Sequence, residues 1–348
     1  MGPGNAVSAV LPVAGSEVAV QAIPFLNGDT GIMSNIATSR TTAPVSNPYV
    51  VGRPLTGASA SLYVGREEVF AWLGENLIGT ARPNALLLYG QRRIGKTSTL
   101  YQITEGERGE GVRRSRERSL LTAYLDLQRL AGRPTDEWLR RLARDICNRV
   151  NTSMLARSVP DSPVVGETAY AAFDRCLDRL EQTLPPDHLI LLAVDELEQI
   201  RAGIEAGTLD PDLLSFLRSQ IQHRERVVFL LCGSRALLDD FWNPIVDLTA
   251  RLELGGLEYE QMAILVRQPV AGILEYEDDA VEAVWRHTAG HPFHVQTICH
   301  RLVSLANRRH SRNLVRAQDV EYVLHQLSKE GYHIGLPFEP VHLEANKG

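Results

Sequence analysis

The sequence predicts an α/β fold: a parallel β-sheet with flanking helices, followed by a small all-helical region. Three observations predict it. Apolar strand-like runs alternate with amphipathic helix-like segments from about Asn47 onward. One of those runs leads directly into a glycine loop and then a helix, and beyond about Leu257 the strand-like runs stop.

Residues 84–89 form the first short apolar strand, followed by the glycine loop and a helix beginning near Lys96. Residues 122–127 read as a second strand, and helical patterns follow at 135–151 and 168–183. The uninterrupted apolar run 189–194 suits a parallel strand buried on both faces. A helix over 213–223, a buried strand over 227–232 and a fifth strand over 251–255 complete the sheet. Four helices are then expected over 258–267, 279–289, 292–307 and 317–327. In the third, Val295, Ile298, Leu302 and Leu305 recur at spacings of three and four and define one apolar face.

Domain boundaries follow from texture. Residues 1–48 are rich in Gly, Ala, Ser, Thr, Val and Pro, show no lasting period, and are expected to be a disordered leader. A sheet domain is expected over 49–256, a helical lid over 257–330 and a tail over 331–348. The start Met1-Gly2-Pro3-Gly4 resembles an added leader, which suggests that the chain is cut from something longer.

Composition narrows the function classes. The chain has 348 residues, 44% hydrophobic and 22% charged, which suits roughly two globular domains. Its net charge of −6 excludes retention on nucleic acid by bulk positive charge. Only Lys96, Lys329 and Lys347 among its 36 basic residues are lysines, a bias ascribed to genomic base composition, so any motif that needs lysine has three places to be. No run approaches the ~18 apolar residues of a membrane helix. The N-terminal run 7–26 is broken by Pro12, Glu17 and Pro24 and lacks a basic leader, so a cytoplasmic protein with no membrane partner is expected. Cys147, Cys176, Cys232 and Cys299 form no C-x-x-C pair and are expected to be reduced core thiols. His287, His291, His294, Cys299 and His300 come nearest to a metal cluster, but Gly290 and Pro292 break the helix between them, so packing and surface roles are expected.

The chemistry concentrates in Gly90-Gln91-Arg92-Arg93-Ile94-Gly95-Lys96-Thr97, which fits G-x-x-x-x-G-K-[ST] between a strand and a helix. Such a loop wraps backbone N–H groups around phosphates, and the following helix adds its positive dipole end. Lys96 places its charge on the β/γ-phosphates, and the Thr97 hydroxyl is a ligand for Mg²⁺. The fold is therefore expected to be that of a P-loop NTPase. The second half of such a site is an acid at the end of a neighbouring strand, and Asp195 after 189–194 supplies it for the metal. Glu196 next to it is placed to polarise an attacking water, and the paired carboxylates favour hydrolysis over storage. Glu198 is expected at the surface. Arg235, three residues beyond the strand 227–232, is expected to act as a fixed cation that senses the γ-phosphate. Adenine is expected as the base, because guanine readers use N-K-x-D and the only Asn-Lys here, Asn346-Lys347, lacks the aspartate.

With these motifs on the page, the chain resembles the STAND-type ATPases, signalling relatives of the AAA+ P-loop proteins that include NB-ARC and NACHT switches. Leu62-Tyr63-Val64-Gly65-Arg66-Glu67-Glu68-Val69 is similar to the G-R-E-x-E element that borders adenine in that family, with Val69 in place of its second glutamate. The phosphate loop and Val194-Asp195-Glu196 match its two Walker motifs, and Gly233-Ser234-Arg235 is similar to its sensor arginine. Gly290-His291-Pro292 resembles its G-x-P element, and the same residues also suit a helix end and a helix start. The resemblance spans about Asn47 to Leu327 and implies nucleotide contacts from Val64, Gly65, Arg66, Gly90, Arg93, Ile94, Gly95, Lys96, Thr97, Ser98 and Pro292. It implies ATP, ADP and Mg²⁺ as cofactors, catalytic roles for Glu196, Lys96 and Arg235, and slow turnover. It further implies a lid whose position follows the nucleotide, and self-assembly or partner binding in the ATP state. The winged-helix, sensor and effector parts usual in that family are missing, so either they are absent or the chain is an excised core.

Two other classes fit parts of the pattern. A DNA-associated AAA+ ATPase, such as an initiator or transposition regulator, shares the core and lid. Its DNA contacts would fall on the arginine-rich stretches 108–118 and 301–316, which carry no interleaved aromatic residues for base stacking. A small-molecule kinase also uses a phosphate loop, but Asp195-Glu196 after a buried strand and the all-helical region suit it poorly.

Overall fold

Continuous apolar strands pair stably only when helices cover both of their faces, and this requirement shapes the sheet. The computed structural model describes residues 46–80, 82–154, 166–309 and 313–332, all within one compact unit, Thr42–Gly348. Five parallel strands, β1 (Ala85–Gly90), β2 (Ser119–Asp126), β3 (His188–Asp195), β4 (Val227–Gly233) and β5 (Thr249–Leu254), lie in the order β2-β3-β4-β1-β5. The α/β fold class is as the sequence predicts. The expected leader 1–48, apart from 46–48, and the tail 331–348, apart from 331–332, lie outside the described residues.

Alternation along the strands divides the core in two. Leu87, Ile190, Leu192, Val194, Phe229 and Leu231 face one layer, packed by helices α4 (Thr135–Met154), α5 (Ala169–Thr183), α6 (Glu198–Glu205) and α7 (Asp212–His223). Leu86, Leu88, Leu189, Leu191, Ala193 and Leu230 face the other, packed by α1 (Glu67–Leu77) and α2 (Lys96–Thr104). Two single-turn helices, α3 (Glu110–Arg113) and α8 (Asn243–Val246), sit in connections.

Beyond the sheet, α9 (Tyr259–Arg267), α10 (Asp278–Thr288), α11 (Pro292–Arg309) and α12 (Ala317–Lys329) enclose a third core, within one or two residues of the expected starts. Strands do not stop at Leu257, however. Glu275–Tyr276 (β6) and Leu314–Val315 (β7) form a two-residue parallel pair, too short to leave a periodic signal. A second difference has more consequence. Tyr49, Leu55, Leu62 and Tyr63, upstream of the sheet, pack into this helical core. The stretch 46–63 is thus a strap on the helical layer, anchored by the Tyr49 hydroxyl donating to the Val266 carbonyl at 2.6 Å and by Asn47 Nδ2 donating to the His300 carbonyl at 2.9 Å.

The expectation of four reduced thiols is corrected. Cys147 on α4 and Cys176 on α5 are joined as a disulfide, while Cys232 and Cys299 are free and buried. Local spacing rules look for nearby cysteines, whereas the packing of α4 against α5 brings together residues 29 apart. Among the described residues, no helix is long and apolar enough to cross a membrane.

Phe173, 1% exposed on α5, packs edge-to-face on Phe216 with ring centroids 5.7 Å apart. Truncation in such a site leaves a cavity, so Phe173→Ala is expected to lower unfolding free energy by about 3–5 kcal/mol, read from denaturant unfolding.

Candidate nucleotide site

Strand β1 ends at Gly90 against the end of β5, where a Cβ would stand 2.6 Å from the Leu254 carbonyl oxygen. Glycine is therefore required for the sheet to close at the point where the loop begins. The loop then turns through left-handed backbone at Arg93 (φ 62°) and Gly95 (φ 104°), and it inserts Ile94, 2% exposed, into the core shared with α1 and α2. Lys96 opens α2 and donates from Nζ to the carbonyls of Gly90 at 3.1 Å and Gln91 at 2.9 Å. Its charge is thereby held inside the loop.

Asp195 closes β3 and is nearly fully buried. Its Oδ2 accepts from Thr97 Oγ1 at 2.7 Å and from the Tyr124 hydroxyl at 3.1 Å, and its Oδ1 accepts from the Glu196 amide at 3.0 Å. Burial pushes the Asp195 carboxyl above the usual range, against the opposing pull of these hydrogen bonds. Glu196 takes left-handed backbone (φ 57°) and lines the cavity. Burial first, and the neighbouring Asp195 charge second, raise its pKa and make it a stronger proton acceptor.

Lys96, Thr97 and Glu196 line a cavity of about 250 Å³. The same cavity is also lined by apolar side chains, Leu62 and Val64 of the strap and its continuation and Leu257 and Leu265 of the helical layer. Charged and apolar side chains sharing one cavity suit a nucleoside phosphate. A hydroxyl and a carboxylate in contact, Thr97 and Asp195, are the hard oxygen donors that Mg²⁺ takes.

No protein-family model matches the chain, and no curated protein matches it by sequence. Solved structures match it in shape. The ORC1 protein of Aeropyrum pernix, solved in complex with DNA, aligns with a TM-score of 0.52 at 17% identity over 79% of this chain and 69% of that one. The Walker-type ATPase paby2304 of Pyrococcus abyssi aligns at 0.54 with 16% identity, over 80% of this chain and 77% of that one. The A. pernix ORC2 protein, solved as ADPNP–ADP complexes, aligns at 0.51 with 15% identity, over 80% and 70%. The likeness is one of fold: a five-stranded parallel sheet with flanking helices and a helical C-terminal region.

Within this fold the other expected site residues fall in different places. Val64, Arg66, Arg93, Ile94, Gly95, Lys96, Thr97, Ser98, Glu196 and Pro292 line the cavity, whereas Gly65, Gly90, Asp195 and Arg235 do not. Arg66, 3% exposed, donates to the carbonyls of Ile94 at 3.3 Å and Gly256 at 3.4 Å. The Ser98 hydroxyl accepts from the Leu55 amide at 2.9 Å, and Thr99 bonds the Tyr63 hydroxyl at 3.0 Å, so α2 holds the strap. Val69 is fully buried on α1, where a glutamate would lose its water. Arg235 is half exposed and ion-paired with Glu253, linking the ends of β4 and β5 on either side of β1.

Glu198 departs from its expected surface position. It accepts from the Ser234 amide, and its Oε2 is buried without a partner among the described residues. Tyr124 and Thr99 were not singled out in the sequence, because each meets the site through a residue on another element.

The helical layer closes over the loop at its own helix start. Gly290 (φ 72°) ends the turn after α10, where a Cβ would overlap the Leu257 carbonyl oxygen, and Pro292 opens α11. The Leu257 amide donates to the Gly290 carbonyl at 2.9 Å. Phe293 lies under the Arg93 guanidinium, 4.4 Å from ring centroid to cation, a direct contact between phosphate loop and α11. His287 faces Glu321 at 3.1 Å, while His291 and His294 stack with centroids 4.6 Å apart.

Burial, and then the neighbouring His294, lower His291 from 6.5 to about 4. The folded protein therefore binds fewer protons here than the unfolded chain. The associated stability is present above pH 6.5 and is lost as pH falls toward about 4. Over that window the Tm of the wild type is expected to fall more steeply than that of His291→Gln in thermal melts.

Proposed function

We propose that this chain binds ATP and hydrolyses it slowly as a nucleotide-state switch of the STAND kind. Residues 49–256 carry the nucleotide in this reading, with the strap 46–63 packed on the lid, and 257–330 act as that lid. The observation that carries it is a single cavity lined by the phosphate loop, the strap and the start of α11, so that one occupant touches both layers. Lys96 binds the phosphates, Thr97 and Asp195 hold Mg²⁺, and Glu196 accepts a proton from the attacking water. The metal supplies charge neutralisation at the phosphates when bound. Arg235 senses the γ-phosphate only once its pair with Glu253 is exchanged for that anion. Occupancy shifts the lid and, in the ATP state, exposes a surface for self-assembly or for a partner protein, in the cytoplasm.

Lys96→Ala is expected to weaken ATP binding by about 10- to 100-fold, the effect of losing one charge-assisted contact. Glu196→Gln is expected to retain ATP while turnover drops by about 10²–10⁴-fold. Equilibrium binding and phosphate-release assays read both. Rapid turnover by a monomer would count against the switch.

A DNA-associated AAA+ ATPase is the second reading, favoured by the fold likeness to an ORC1 protein solved with DNA. Against it stands the use of arginines within the molecule. Arg108 pairs with Glu67, Arg113 donates to the Gln102, Ile103 and Gly106 carbonyls, and Arg114 pairs with Glu110. Arg301, Arg309 and Arg316 pair with Glu330, Asp319 and Glu277. DNA-stimulated ATPase activity with a steep salt dependence would establish this second reading; no DNA binding at low salt is the expected outcome.

A further inference from the structure

Gln296 lies four residues beyond Pro292 on the same face of α11, and both line the cavity. Its residue exposure is only 6%. The Val50 amide donates to its Oε1 at 3.0 Å, and because a backbone N–H can only donate, the amide orientation of the side chain is fixed. Nε2 is therefore the remaining polar group, and it has no hydrogen-bond partner among the described residues. Nε2 is not one of the fully buried partnerless atoms among the described residues, so its donors stay accessible in the cavity that Gln296 lines. Gln296 shares the cavity lining with Val50, Leu62 and Leu257 and is bonded to the strap through Val50.

Resting on the nucleotide reading above, we propose that Gln296 is the residue that selects the base. Nε2 donates a hydrogen bond to an acceptor nitrogen on the Watson–Crick edge of adenine. Guanine presents an N–H at the corresponding N1 position, which would oppose a second donor. The same side chain holds the strap through Val50, so base identity, strap and α11 share one amide. Position 296 thus turns an apolar slot that would accept any flat base into one that distinguishes adenine from guanine.

The test compares dissociation constants for ADP, GDP and inorganic tripolyphosphate in wild type, Gln296→Met and Gln296→Glu, at pH 8.5 and with melting temperatures measured in parallel. Gln296→Glu keeps an oxygen for the Val50 amide but replaces the donor with an acceptor. Wild type is expected to prefer ADP over GDP. In Gln296→Met that preference narrows about 10-fold, and in Gln296→Glu it narrows further or inverts, while tripolyphosphate binding is unchanged. A merely structural role would weaken ADP and GDP equally, and an unaltered ADP-to-GDP ratio in both variants overturns the proposal. Wild type that binds tripolyphosphate but shows no base preference also overturns it and leaves the phosphate site standing. Wild type that binds none of the three overturns the nucleotide reading itself.

Discussion

One buried guanidinium holds together the segments that meet at the cavity. Arg66 stands at the junction of strap and α1 and bonds the phosphate loop at Ile94 and the exit of β5 at Gly256. Burying a cation is unfavourable, and burial here is the main influence that pulls the group's pKa down. Its carboxylate neighbour Glu68 lies 4.0 Å away and is exposed, a weak compensation. The position of the loop, and with it the lysine, depends on this cation keeping its two carbonyls. An anionic occupant in the same cavity would supply the missing negative charge, so the protein without ligand carries a cost that binding relieves.

The same economy of position governs the surroundings of Asp195. Asp195 Oδ2 serves both Thr97 and Tyr124, and the Glu196 amide takes the other oxygen. Three elements, β2, β3 and α2, are thereby registered on one carboxylate. Glu198 adds a fourth link by bonding the backbone at the start of the segment that carries Arg235. The groups proposed to act on the phosphates are therefore spaced by short hydrogen bonds across strand ends rather than by flexible side chains alone.

The sheet and the phosphate loop were legible because their signals are local: an apolar run, a fixed spacing of glycine and lysine, an acid after a strand. The five strands and the four late helices lie within a few residues of their expected positions. What stayed hidden involves partners distant in the chain. The strap packs on helices more than 200 residues later, as the bond from Tyr49 to Val266 shows. Gln296 looks like one more polar residue on an amphipathic helix until Val50 is brought beside it. Glu198 and the Cys147–Cys176 pair misled for the same reason: burial and partnership arise from tertiary packing, which no local pattern encodes.

The chain crosses between the helical core and the sheet twice, at the residues just before α1 and at Gly255–Gly256 after β5, and Arg66 ties the two crossings together. Both lie beside the phosphate loop. Helix α11 starts at the cavity and runs 18 residues away from it, about 27 Å at 1.5 Å per residue. It is therefore a lever with its fulcrum at the ligand. A tilt of about 10°, too small to disturb the packing near Pro292, would carry its far end through about 5 Å. In the proposed switch, mechanical gain of this kind would make the distant end of α11, rather than the rim of the cavity, the place where occupancy is most visible from outside.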